Sequence, residues 1–146
     1  MTPGRLDATV VRRHLLAIDE ALQTLHRHQG KPVETLASDR EELWVVERGL
    51  QLCAQNALDV ATHLAASAGR DVPDYSAAIE RMEDLGVLPQ EFASRFRQVA
   101  GFRNVIVHGY LDVDVHTLHR LLNEHLDDFA EFARHVNRYV TSHEDS

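Results

Sequence analysis

Between Asp39 and Ala68 an apolar residue returns every three or four positions: Leu43, Val46, Leu50, Cys53, Ala57, Ala61, Leu64 and Ala68. That is the 3.6-residue period of one helix face, sustained for about seven turns. Any fold for this chain has to accommodate so long a helix with one apolar stripe. Ser38, followed three residues later by Glu41, reads as a capping box that starts it.

The rest of the chain repeats the pattern. Pro3, Pro32, Pro73 and Pro89 all lie outside the apolar-periodic stretches. Three of them follow a glycine by a few residues, at Gly30, Gly69 and Gly86, a pairing that stops one helix before the next begins. A first helix is predicted from about Leu6 to His28, with Val11, Leu15, Ile18, Leu22 and Leu25 on one face. A short helix follows the long one, at Tyr75–Leu85. A fourth begins near Pro89 as a first-turn residue and buries Phe92, Phe96 and Val99. The last starts after Asp112 or Asp114 as cap and carries Val115, Leu118, Leu122, Leu126, Phe129, Phe132, Val136 and Tyr139. No run alternates as a strand would. The expected fold is all-α: a four-helix up-down bundle with one short extra helix. It forms a single domain over 1–146, with a frayed tail at about 141–146.

Composition narrows the function. Fifteen Lys and Arg stand against 23 Asp and Glu, a net charge of −8, which argues against a protein that coats nucleic acid by bulk charge. No DNA partner is expected. Lys31 is the single lysine, so the other cations are arginines, which suit bidentate carboxylate and phosphate partners. The single cysteine, Cys53, forbids an intrachain disulfide and a multi-thiol metal site. No signal peptide and no membrane span are read in the chain, so a cytoplasmic protein is expected.

One segment resists assignment to a bundle helix: Gly101-Phe102-Arg103-Asn104-Val105-Ile106-Val107-His108-Gly109-Tyr110. Arg103 is the only charge between Gln98 and Leu111. In an unbroken helix a residue five positions on lies roughly 140° around the axis, so Arg103 and His108 would not share a face. Either the helix ends near Gly109, or a second chain completes the site. An arginine holds a phosphate and stabilises charge developing on it. A histidine exchanges a proton near neutral pH. With a ribose 2′-OH as nucleophile, the pair suffices for RNA cleavage without a metal, leaving a 2′,3′-cyclic phosphate. Arg95, Arg97 and Arg103 against Glu91 make Pro89–Leu111 locally positive, which favours an anionic ligand at this end. On spacing alone a plainer reading stands beside this one: Arg103 lies along a helix end and its dipole, and His108 caps a turn.

The segment resembles the signature of the HEPN superfamily, R-x4-6-H with a polar residue after the arginine. The longer form R-x4-H-x-Y resembles that of the HepT-like ribonuclease toxins of HEPN/MNT toxin–antitoxin pairs. Glu47-Arg48-Gly49-Leu50-Gln51 with Asn56-Ala57-Leu58-Asp59 is similar to that family's long second helix. Pro73-Asp74-Tyr75 and Leu85-Gly86-Val87-Leu88 are similar to its middle segment, and Tyr110-Leu111-Asp112-Val113-Asp114 to the lead into its last helix. The resemblance implies a homodimer whose two motifs face each other across a cleft. It implies a metal-independent endoribonuclease with Arg103 and His108 catalytic, Asn104 supporting them, and no cofactor. It also implies an MNT-type minimal nucleotidyltransferase antitoxin as partner, able to transfer AMP to Tyr110. Phosphates added there would crowd the anion site at Arg103. Some HEPN modules bind nucleotide or protein without cutting, which is the alternative.

Other candidates are weaker. The ten histidines include His116 and His119 on the last helix and His26 and His28 near a helix end. Zinc needs three or four convergent ligands, no H-E-x-x-H occurs, and no metal site is expected. Glu41, Glu42, Glu47 and Glu91 read as solvated faces. Trp44 reads as a core edge or a dimer contact, and Tyr75 as packing.

Overall fold

The computed structural model describes residues 6–99, 101–103 and 114–143. Seven helices have both ends among them: α1 (Ala8–His26), α2 (Val33–Ser38), α3 (Arg40–Ser67), α4 (Tyr75–Asp84), α5 (Gln90–Phe96), α6 (Val115–Glu124) and α7 (Leu126–His143). Residues 98, 99 and 101–103 are helical again after a turn at Arg97. No strand occurs among the described residues. None of the helices is long and apolar enough to cross a membrane.

The long stripe builds the core. Val46, Leu50, Cys53, Ala57, Ala61 and Leu64 of α3 are all buried, and α3 packs against α1, α2, α4, α6 and α7. Ala68, placed on the stripe by periodicity, is instead the exposed C-cap. Val11, Ile18, Leu22 and Leu25 of α1 close one side, and Leu118, Leu122, Phe129, Phe132 and Val136 of α6 and α7 another. Gly49 sets how closely α1 approaches α3. A Cβ there would lie 2.6 Å from Leu25 Cδ2, inside van der Waals contact with a fully buried side chain. Gly30 and Gly86 take left-handed φ values of 82° and 79°, which glycine adopts without steric cost.

Three boundaries differ from the sequence reading. Asp39, not Ser38, caps α3: its carboxylate accepts from the backbone N–H groups of Glu41 (3.1 Å) and Glu42 (3.2 Å). Ser38 is taken up by α2, a helix periodicity did not show, where its hydroxyl donates to the Glu34 carbonyl at 2.8 Å. The last helix is two, parted at His125, whose N–H still reaches the Leu121 carbonyl while its own carbonyl accepts from Asp128 N–H. No glycine or proline marks this break, so nothing in the pattern announces it. Pro89 precedes the first turn of α5 rather than starting it. Asp114 is the cap of α6, accepting from His116 N–H (3.0 Å) and Thr117 N–H (3.3 Å).

An aromatic cluster fixes α5 to α7. Phe96 stacks on Phe132 at 4.7 Å between ring centroids and on Phe92 at 5.2 Å, and meets Phe129 edge-on at 5.8 Å. Arg95 lies over Phe92 and bridges Asp128 (3.3 Å) and Glu131 (3.0 Å) of α7. Phe102, just beyond, faces His125 at the α6–α7 break with ring centroids 6.0 Å apart. The Phe102 contact holds the segment that carries Arg103.

Candidate active site

Arg103 is half-buried and meets side chains from two other elements. Its Nε donates to Gln55 Oε1 of α3 at 3.1 Å, and its guanidinium carbon sits 4.9 Å from the centroid of the Tyr75 ring at the start of α4. Gln55 Nε2 donates to Asp59 Oδ1 at 2.9 Å and to Tyr75 Oη at 3.3 Å. This network dictates which way the Gln55 amide faces. Arginine only donates and an ionised carboxylate only accepts, so the carbonyl must turn to Arg103 and the NH2 to Asp59.

α3 places Gln55 and Asp59 one turn apart on a single face. Asp74 caps α4 through Ala77 N–H at 2.8 Å and so fixes Tyr75 in its first helical position. Beside this cluster opens a cleft of about 690 Å³, walled by Thr62, Val72, Tyr75, Ser76, Arg97 and Gly101 among others. Among the described residues nothing lies within 4 Å of a Cβ added at Gly101. Arg97 points its guanidinium to Glu80 at 3.2 Å. The arrangement orients the Arg103 guanidinium against Tyr75, a residue of the cleft wall, and a guanidinium held in this way can receive a phosphate.

Of the four residues read from sequence as catalytic, supporting or modified, Arg103 lies among the described residues; Asn104, His108 and Tyr110 lie outside them. Gln55 is not singled out by sequence and Asp59 enters only within the stretch similar to the family's long helix, because nothing local sets them apart from other polar positions on a helix. Tyr75 does pack against the core, as the sequence suggests, and its ring also lies against Arg103.

The other candidates find separate partners. His28 Nδ1 meets Glu42 at 2.7 Å, His119 the Lys31 carbonyl at 2.8 Å, His26 Gln29 at 3.0 Å, and His135 Glu131 at 3.1 Å. Among the described residues no three His, Cys, Asp or Glu side chains gather as metal ligands would. Cys53 is fully buried, and burial pushes its thiol up to about 12, where it is inert. Glu41 and Glu91 are exposed, whereas Glu42 and Glu47 are partly buried rather than solvated.

Comparison with known proteins completes the picture. The profile of the ribonuclease HepT-like family matches residues 18–136. The chain is 25% identical over 142 residues to a tRNA nuclease HepT of Aphanizomenon flos-aquae, covering 96% of each protein. It is 24% identical over 84 residues to an mRNA nuclease HepT of Shewanella oneidensis, covering 57% of this chain and 63% of that one. Its fold matches a solved structure of the tri-AMPylated Shewanella oneidensis HEPN toxin in complex with MNT antitoxin, with a TM-score of 0.78 and 17% identity over 91% of this chain and 99% of that one. With that profile spanning most of its length and the same helical fold, the chain belongs to the ribonuclease HepT-like family.

Proposed function

We propose that this chain is the toxin of a toxin–antitoxin pair, a metal-independent endoribonuclease. The observation that carries the reading is Arg103, oriented by Gln55 and by Tyr75 of the cleft wall in a HepT-like chain. In this reading Arg103 holds the scissile phosphate and stabilises the charge that develops on it. His108 takes the proton from the ribose 2′-OH or gives one to the leaving 5′ oxygen. The 2′ oxygen bonds to phosphorus, the P–O5′ bond breaks, and a 2′,3′-cyclic phosphate remains on one fragment. Asn104 orients the pair. The relatives' names point to both tRNA and mRNA, so RNA is the substrate class.

The partner is an MNT-type nucleotidyltransferase antitoxin, as in the complex with the Shewanella toxin. It neutralises the toxin by transferring AMP to Tyr110, where the added phosphates compete for Arg103. The active form is a homodimer. Support for this comes from α3: Trp44, 58% exposed, stands eleven residues from Gln55. Eleven residues turn the helix to within roughly 20° of the same direction, about 16 Å along it. A second copy seated on Trp44 would therefore cover the face that holds Arg103.

The test is cleavage of total RNA in excess chelator by wild type and by His108→Ala, with folding checked by circular dichroism. The expected result is chelator-resistant cutting with 2′,3′-cyclic ends, lost in the variant. Cutting that the chelator stops, or that survives in His108→Ala, overturns the mechanism. A folded wild type, shown by intact mass to be unmodified, that binds nucleotide but cuts no RNA would instead make the chain a binding module.

A further inference from the structure

We propose that Gln55 and Tyr75 are positioning residues for Arg103, and that Gln55 orients the guanidinium without neutralising it. The inference rests on Arg103 being the phosphate-holding group. Asp59 is the nearest acid in the network, yet it reaches Arg103 only through the Gln55 amide. Among the described residues Arg103 forms no ion pair with a carboxylate, in contrast to Arg95 and Arg97. A neutral carbonyl on Nε fixes the plane of the group and leaves the two terminal nitrogens as the pair of parallel donors that a phosphate accepts. The Tyr75 ring lies against the same guanidinium and restrains it through cation–π attraction. Tyr75 Oη in turn accepts from Gln55 Nε2, so the two supports brace each other.

Three variants test this. Gln55→Leu removes the acceptor and keeps the size, and should lower the rate of RNA cleavage about ten- to a hundred-fold, the loss expected for a hydrogen bond to a charged group. Gln55→Glu keeps an acceptor but sets a carboxylate on Arg103. Losing the donor to Asp59 and Tyr75 should lower its melt, but at a temperature where it is shown to be folded it should bind a non-cleavable 2′-O-methyl RNA at least about tenfold more weakly, because that carboxylate competes with the phosphate. Tyr75→Leu should lower the rate about two- to fivefold, with Tyr75→Phe restoring most of it. In an Arg103→Ala background, Gln55→Leu should cost nothing more, since it acts only through Arg103.

The proposal is overturned by wild-type cleavage in Gln55→Leu, by full RNA affinity in Gln55→Glu, or by additive losses in the double variant. A readout independent of activity is the Arg103 Nε–H signal in nuclear magnetic resonance, whose exchange with water should be slow in wild type and fast in Gln55→Leu. If wild type cuts no RNA, the functional reading falls by itself and this signal decides the positioning: an unchanged signal overturns it, a lost one upholds it.

Discussion

Glu42 and Glu47, five residues apart on α3, show how placement divides like side chains. Glu42 accepts from Lys31 Nζ at 2.9 Å and from His28 Nδ1 at 2.7 Å, and its side chain is 10% exposed. The hydrogen bond from Lys31 is the larger influence, and with His28 it holds the carboxyl below the usual range against the opposing pull of burial. Glu47 has no such partner among the described residues, and burial raises its carboxyl. The signs for stability are therefore opposite. Glu42 stabilises the fold above its unfolded-state pKa, and that contribution is lost as pH falls through the lowered folded value. Urea melts at pH 7 and pH 3 should show Glu42→Gln destabilised at pH 7, with a smaller difference from wild type at pH 3. Glu47→Gln should be neutral or stabilising at pH 7. A Glu42→Gln protein as stable as wild type at pH 7 would show that the Lys31 and His28 contacts add nothing.

At the scale of elements, helix ends were harder to place than helix faces. Ser38 with Glu41 has the spacing of a capping box, but α2 occupies the residues before it and engages the Ser38 hydroxyl. Asp39, one residue later, has the extended backbone of a cap, at φ −108° and ψ 103°. Asp39→Ala should lower stability by about 1 kcal/mol, while Ser38→Ala, whose hydroxyl caps nothing, should cost much less. Thermal melts of the two variants compare them directly; a larger loss in Ser38→Ala would return the cap to Ser38. The break at His125 has a tertiary origin of the same kind. Asp128 is drawn to Arg95 of α5 and to His125 itself, and Phe102 packs on the His125 ring, so the chain turns where α5 meets it.

At the scale of the whole molecule, the core accounts for the stripes of α1, α3, α6 and α7, yet it leaves Trp44, Val45 and Leu16 exposed. The sequence reading allowed Trp44 a core edge or a dimer contact, and at 58% exposure it is outside the core. If the homodimer forms on this face, Trp44→Glu should halve the mass seen by light scattering and abolish RNA cleavage while the melting of the monomer survives. A Trp44→Glu protein that keeps the mass of a wild-type dimer would move the interface elsewhere.

The sequence by itself determined the helical class, the α3 stripe, the α1 face and the Phe92–Phe96 side of α5, because burial of one helix face repeats at a period that reads directly from the chain. It also singled out Arg103, an isolated charge in an apolar stretch, and the resemblance to HepT-like proteins that the family profile bears out. Only the tertiary structure decided what holds Arg103. Gln55, Asp59 and Tyr75 lie 48, 44 and 28 positions before it, and no local pattern links residues at such distances. Their meeting depends on α3, α4 and the segment after α5 packing side by side, and the pairing of donor with acceptor exists only once they do.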